Sequence, residues 1–427
     1  MKRKRGLSVK SILGKGSYGT VYKVEHEGSA YACKLLIHDD AYDLTDYFKT
    51  SFREIFFGNF VGLIADRKQM VLGGLLELAH ASFGTCTVSE NALRGLRDVC
   101  VQLDALHKDG IIHHDIKPDN ILLYENRQEL SDFSLSVRTP VISDTNVYTI
   151  WYRAPEILLG MSHTAQADMW ALGMTFLQLI LNRPVYKDLT EKGALAAIVR
   201  IVGTQNYPPL VKQFGHREGL LHKLVSPRVY DFVAALLQVN PGLRLKSKDV
   251  LAHPFWNEGP VDPVVFYNSQ TETSESCFDY EIYDAPVYFK QVPALVRVRI
   301  FDELVTACAT FRVSKRVLST AYYFWDTIPH SGRPWYAACF FVAMCLECET
   351  VPDIRSIWQH FKTCKEFLIR ALFTLPTLTR MAPARIFSDE HLYAIVQSPT
   401  AWMDSDVEHA PDAILELSKT RATFLLL

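Results

Sequence analysis

His113-His114-Asp115-Ile116-Lys117-Pro118-Asp119-Asn120, followed downstream by Asp132-Phe133-Ser134, is the stretch that decides how this chain reads. It offers a carboxylate able to act as a base and a lysine able to neutralise phosphate charge. It also offers two hard oxygen donors, Asn120 and Asp132, of the kind magnesium prefers. Moving a phosphoryl group needs those parts and few others, because its catalysis is mostly positioning and charge stabilisation. Taken singly, each acid would be an ordinary solvated loop carboxylate. The reading therefore rests on what stands around the stretch.

Upstream, Gly14-Lys15-Gly16-Ser17-Tyr18-Gly19-Thr20-Val21 sits between two apolar, strand-like segments. Glycines there let a backbone turn lie close over phosphates, although such a pattern alone is often just a turn. Tyr31-Ala32-Cys33-Lys34 comes next, then Glu54 inside Ser51-Phe52-Arg53-Glu54-Ile55-Phe56, whose apolar positions have helical spacing. Downstream stand Trp151-Tyr152-Arg153-Ala154-Pro155-Glu156, Asp168-Met169-Trp170-Ala171-Leu172-Gly173 and Arg244. In this order the set resembles the protein kinases over residues 7 to 256, ending at His253-Pro254-Phe255-Trp256.

The resemblance implies ATP and Mg2+ as cofactors and a role for each residue. Asp115 would accept the hydroxyl proton of the substrate, and Lys117 would neutralise the transferring phosphoryl group. Asn120 and Asp132 would hold the metal. Leu13, Gly14, Lys15, Gly16, Ser17, Tyr18, Gly19, Thr20 and Val21 would cover the nucleotide. Lys34 would hold its phosphates once paired with Glu54, and Glu77 and Leu78 would offer backbone groups to adenine behind Leu76. Arg153, Glu156, Asp168 and Arg244 would be structural. A lysine two positions after the aspartate resembles the serine/threonine branch. Thr149 to Gly160, Val199-Arg200-Ile201-Val202-Gly203-Thr204 and the Arg-Glu-Ile of 53–55 look like the cyclin-dependent kinases, whose substrates carry Ser/Thr-Pro.

Regulation departs from that family. Asp144 stands where the family has its activating threonine, with Thr145 beside it as the other candidate for phosphorylation. An aspartate offers one fixed negative charge where a phosphate would gather arginines and order the loop. His114 replaces one of those arginines, leaving Arg53 and Arg138. Ser17 and Tyr18 match the family's inhibitory phosphorylation sites.

Bulk properties set the frame. A length of 427 residues predicts two or three domains, and 48% apolar content is ample for packed cores. A formal charge of −2 argues against a dedicated nucleic-acid binder, and nine scattered cysteines predict reduced thiols in the cytosol or nucleus. No segment reaches the ~18 apolar residues of a membrane helix, and the start lacks a secretory signal. Cys345 and Cys348 lie in an apolar helical run and read as core. Lys2-Arg3-Lys4-Arg5 reads as a solvated arm, with a nuclear import address as the other reading.

Residues 257–289 hold seven acidic residues, no lysine or arginine, and seven aromatics (Phe266, Tyr267, Phe278, Tyr280, Tyr283, Tyr288, Phe289). That composition predicts a linker partly docked on a folded surface. Five helices follow: one burying Ile300, Phe301, Leu304, Val305 and Cys308; one capped by Ser314; a central one opened by Pro334; then 353–361 and 365–373. Arg299-Ile300-Phe301-Asp302-Glu303-Leu304-Val305, 311–326 ending in Asp326, Ala337 to Ala343, and Glu366 to Thr377 resemble a cyclin box. Glu303 replaces its tryptophan, and Cys345 stands near the position of its kinase-gripping lysine.

The expected fold is thus α+β: a two-lobed kinase with a β-rich N-lobe and a helical C-lobe, followed by an all-α cyclin-like bundle. The expected boundaries are 1–6 arm, 7–256 kinase, 257–289 linker, 290–385 bundle and 386–427 extension. Its partners would be protein substrates and its own cyclin-like domain, with no nucleic acid and no membrane. A linker of ~30 residues spans roughly 30 Å and gives an effective concentration of order mM, so the enzyme would be switched on in cis. The competing readings are a pseudokinase scaffold, suggested by Ser134 and His114, and an active kinase whose helical domain docks substrates.

Overall fold

The computed structural model describes every residue except 1–2, 5–6, 17–18, 39–42, 88–91, 146, 187–189, 258–264, 267–272, 279–280, 284–293, 331 and 378–427. Ser17, Tyr18, Tyr267, Tyr280, Tyr288, Phe289 and the extension 386–427 therefore lie outside the described residues. The chain divides into two units, 1–77 with 272–427, and 78–271.

The first unit holds a twisted sheet whose central strands are Leu7–Gly16, Gly19–His26, Ser29–Ile37, Val71–Glu77 and Gly62–Asp66, antiparallel throughout. Alternation places Leu7, Val9, Val24, Cys33, Leu35, Ile64, Val71 and Leu75 in one apolar cluster. Lys34 faces Val21 on one side and Gly74 on the other. Gly73 takes φ +152°, and a Cβ there would collide with the Lys34 carbonyl oxygen. Glycine is what allows the two strands to close beside that lysine.

Two additions to the sheet come from segments expected to be arm and linker. Thr273–Phe278 pairs with Leu7–Gly16, and Glu281–Tyr283 pairs with Gly62–Asp66. Arg3–Lys4, read from sequence as a solvated arm, forms a short strand on Glu281–Tyr283. Unpaired backbone groups on a sheet edge favour such capture over solvation alone.

The helix Leu44–Phe57 starts at Asp43, whose carboxylate accepts from Thr45 N at 3.2 Å. Tyr47 Oη donates to the Leu36 and Met70 carbonyls at 3.1 and 3.0 Å, tying this helix to the sheet. Among the described residues the C-terminal α-helices are Ala294–Phe311, Lys315–Thr327, Arg333–Glu347, Ile354–His360 and Lys365–Thr374, five as the periodicity predicts. Ser314 has the N-cap conformation, yet its hydroxyl makes no capping bond. Asp353 does cap, accepting from Arg355 N at 2.8 Å. Arg333–Glu347 is buried from Tyr336 onward, so it is the centre of the bundle.

The second unit is mainly helical. Its axis is Gln166–Leu181, buried from Ala167 to Leu177 and ended by Asn182 in the left-handed conformation. Glu156 and Arg244 form a bidentate pair at 2.8 and 2.9 Å, both buried. Arg244 also donates to the Gln166 and Gln238 carbonyls, so each of its three nitrogens makes a hydrogen bond.

Candidate active site

Each unit carries part of the predicted machinery. In the first, Lys34 Nζ lies 2.7 Å from Glu54 Oε1, with both side chains nearly out of solvent. Two opposite charges at that depth hold each other in place, because either alone would carry a large desolvation cost. Among the described residues, no atom lies within 4 Å of a notional Cβ on Gly14, and only the Gly19 carbonyl, at 3.9 Å, approaches one on Gly16. Packing does not demand glycine at these two positions, which leaves that face open to a ligand. Gly19 differs, since a Cβ there would strike the Leu35 backbone. Leu13 and Lys15 are exposed, Thr20 and Val21 half-buried.

The Glu54 helix rests on the C-terminal bundle. Phe48 meets Phe341 and Phe373 at ring separations of 6.4 and 5.4 Å, and Phe56 meets Phe324 at 5.1 Å. Such aromatic pairs contribute about 0.5–1.5 kcal/mol beyond simple burial. Arg53 donates Nε to the Cys345 carbonyl and Nη2 to the Cys348 carbonyl, each at 2.8 Å. A cation on the free carbonyls at a helix end complements the helix dipole. Thr45 Oγ1 in turn accepts from Ile354 N at 3.2 Å.

In the second unit, Asp115 sits at the centre of a polar cluster. Lys117 Nζ reaches its Oδ2 at 2.6 Å, and Asn120 Nδ2 reaches the same oxygen at 2.9 Å. Thr149 Oγ1 donates to Oδ1 at 3.0 Å and accepts from Lys117 Nζ at 3.2 Å. Asp132 has a left-handed backbone, φ 64°, and accepts from Ser134 Oγ at 2.9 Å. Among the described residues no cluster of three or more His, Cys, Asp or Glu could cage a metal. Asn120 and Asp132 still fit Mg2+, which takes one or two protein oxygens and fills its shell with phosphate and water. Glu77 and Leu78, the expected adenine contacts, are exposed and half-buried, and the unit boundary falls between them.

Aromatic and imidazole rings pack around the activation segment. His114, almost fully buried with φ 69°, shares a hydrogen bond between its Nδ1 and the Leu135 carbonyl at 3.0 Å. Its Nε2 lies 3.2 Å from His163 Nε2, and its ring packs edge-on against Tyr148. Asp168 gathers this region: it accepts from His113 N, His114 N and Tyr148 Oη at 2.8, 3.1 and 2.7 Å, and lies 2.9 Å from His107 Nε2. Burial alone would push the Asp168 carboxyl up, but the hydrogen bond and charge of His107 hold it below the usual carboxylate range. Arg153 donates to the Tyr148 carbonyl at 3.0 Å and pairs with Glu191 at 2.6 Å. Arg138 is buried in a short strand beside Ile111, while Asp144 and Thr145 are half-buried.

Sequence reasoning assigned no role to Thr149, Tyr148 or His163. Thr149 stands in the sequence only as the first residue of the family-like stretch 149–160, and its spacing from Asp115 carries no local signal. In the bundle it also placed weight on Arg299. The structure exposes Arg299 and buries Arg297 against Asp326, with Nη2 to Oδ2 at 3.0 Å. Two arginines so close together on a helix have indistinguishable local sequence but point to different faces.

Known proteins can now be set beside this geometry. The protein kinase domain family model matches residues 70–256. "Serine/threonine-protein kinase ppk23" of Schizosaccharomyces pombe is 32% identical over 38% of this chain and 46% of its own length. "Cyclin-dependent kinase 4 homolog" of Caenorhabditis elegans is 28% identical over 57% of the chain and 69% of its length. "Cell division control protein 2 homolog 3" of Trypanosoma brucei brucei is 30% identical, covering 58% of the chain and 90% of that relative. The chain belongs to the protein serine/threonine kinases. The kinase spans about half the length of its fission-yeast relative. Its fold has a β-sheet N-lobe and a helical C-lobe, with helices beyond them. Among the described residues no helix of the kinase is long and apolar enough to cross a membrane.

Proposed function

We propose that this chain transfers the γ-phosphoryl group of ATP to serine or threonine of protein substrates, and that its own C-terminal helices switch it on. The observation that carries the second half is the seating of the Glu54 helix. Phe48, Phe56 and Arg53 all bind the bundle while Glu54 holds Lys34 at 2.7 Å. In this family the lysine–glutamate pair must be in place for activity. A bundle that grips the helix next to that glutamate acts as an activator would, and the five helices resembling a cyclin box support this. The preference for Ser/Thr-Pro comes from likeness to the cyclin-dependent branch.

Asp115 accepts the proton as the substrate hydroxyl attacks the γ-phosphorus and ADP leaves. Thr149 and Asn120 orient its carboxylate, and Lys117 sits 2.6 Å away, ready to meet charge on the moving group. Asn120 and Asp132 would hold Mg2+, which supplies charge neutralisation on the phosphates. Asp144 stands in for the activating phosphate. Arg53, one candidate receptor for that phosphate, also donates to the Cys345 and Cys348 carbonyls, which supports a link between that position and the bundle.

The test is phosphate transfer by the purified full chain to a Ser-Pro peptide, with Asp115→Asn as blank and no other protein added. Turnover above the blank supports the kinase. Truncation after residue 289 should then abolish most of it. Unchanged rates with altered substrate choice would make the helices a docking module, and ATP binding without turnover would make the chain a scaffold.

A further inference from the structure

We infer that the strands Thr273–Phe278 and Glu281–Tyr283 close the sheet of the first unit by occupying its two edges, and so brace the strand that leads into the phosphate-loop glycines. The pairs Arg3 with Ile282, Lys4 with Glu281, Leu7 with Phe278, Ser8 with Cys277 and Val9 with Ser276 keep a single register. Each step forward on one side is matched by one step back on the other. These described pairs share one register, which shifts by one residue between Ser276 and Thr273, where Thr273 meets Ser11. The strand Glu281–Tyr283 also binds the opposite edge, with Ile282 on Ile64 and Tyr283 on Leu63.

The strands Leu7–Gly16 and Gly62–Asp66 would otherwise be the open edges of the sheet. Open edges leave rows of unpaired N–H and C=O groups, and closing the sheet removes them. The need is sharpest at Leu7–Gly16. Its ladder to Gly19–His26 breaks register twice, between Val9 and Ser11 and between Ile12 and Gly14. A strand held on one side by an interrupted ladder frays more readily than one held on both. The residues that fill the gap suit strand pairing, since Thr273, Phe278, Ile282 and Tyr283 are β-branched or aromatic. Main-chain pairing asks little else of a sequence.

The closure changes what the linker is. Sequence composition marks 257–289 as a tether, but the described part of its second half belongs to the sheet. The chain left between that sheet and the first bundle helix is 284–293. If the bundle is the activator proposed above, a shorter leash raises its effective concentration. The sheet closure itself does not depend on that reading.

The experiment is hydrogen exchange on the full-length chain, comparing wild type with a variant whose residues 273–283 are replaced by an equal length of Gly and Ser. Amides of 7–11 and of 63–64 should exchange at least about tenfold faster, while those of Ser29–Ile37 keep their protection. Affinity for ATP, titrated separately, should weaken about threefold as the braced conformer becomes a fraction of the population. Should the replaced chain fail to fold, Ser276→Pro and Ile282→Pro serve instead, the first disrupting the strand on Leu7–Gly16 and the second the strand between Arg3–Lys4 and Gly62–Asp66. The first should free 7–11 and the second 63–64. Unchanged exchange at both edges overturns the inference. Phosphate transfer is read apart from exchange, so a chain with a closed sheet and no turnover would count against the kinase reading alone.

Discussion

Arg53 and Cys345, far apart in the chain, meet through a guanidinium-to-carbonyl hydrogen bond of 2.8 Å, one residue away from the glutamate that holds Lys34. Arg53 makes a second such bond to Cys348, so removing the side chain takes a charged donor from two carbonyls at the end of the central bundle helix. Hydrogen bonds to a charged group contribute about 1.5–3 kcal/mol each. Arg53→Ala should lower kcat/KM by about 10- to 100-fold. Arg53→Lys should recover only part, because an ammonium cannot span both carbonyls as a planar fork does. Steady-state kinetics of the two variants decides the matter, and equal rates for wild type and Arg53→Ala would refute the seating argument.

Thr149 positions the Asp115 carboxylate. Thr149→Val should reduce kcat by about tenfold with little change in the KM for ATP. Thr149→Ser, which keeps the hydroxyl, should stay near wild type. Thermal stability of both variants should match the parent, since Asp115 retains Lys117 and Asn120.

The Glu156–Arg244 pair is fully enclosed, and its value appears when it is broken. Arg244→Met strands a buried carboxylate, which costs about 3–5 kcal/mol. For a unit of this size that corresponds to a Tm lower by roughly 10 °C. Calorimetry should show the drop, and a Tm within a degree of wild type would be incompatible with it.

Thiol reactivity should follow burial. Burial pushes the thiols of Cys33, Cys308, Cys345 and Cys348 up to about 12. These remain protonated, and so slow to alkylate, at pH 8. Among the cysteines whose burial is described, Cys364 is the exposed one. Peptide mapping after brief iodoacetamide treatment should find Cys364 labelled first.

Acid should loosen the second unit in two stages. Burial pushes the His113 imidazole below its ordinary value, so the folded state holds it neutral. The unfolded chain takes up that proton near pH ~6.5. The stabilisation is therefore complete above that pH and lost as pH falls through the lower, folded value. Asp168, also depressed, adds stability above pH ~4 that disappears below it. Tm should be flat above pH ~7 and fall on acidification, with a shallower first stage in His113→Asn.

Much of this was legible in sequence because it depends on local rules. Pro334 lies in the first turn of the central helix, as its residue type dictates, and Ser314 stands at the N-cap expected of it, though without a capping bond. Lys34 and Glu54 could be paired in advance only through family likeness, since nothing in the spacing of a strand residue and a helix residue fixes their distance. Arg297 was passed over for Arg299, a register question that only packing resolves. The strands at 273–278 and 281–283 were hidden for a different reason. Ser, Thr and Glu compose much of them, and their partners lie more than two hundred residues upstream, beyond the reach of any periodicity.

The pairing of Leu7–Gly16 with Thr273–Phe278 also governs the order in which the molecule can be made. A ribosome releases the strand at Leu7–Gly16 first, yet one partner of that strand emerges only after the whole helical lobe. Until then the nascent sheet has a free edge and relies on other contacts to keep it from pairing elsewhere. Pairings so distant in sequence are slow to form. Completion of the nucleotide-binding lobe is therefore timed by synthesis of the segment just before the bundle. A chain stalled before residue 283 would carry a kinase fold with its sheet unfinished.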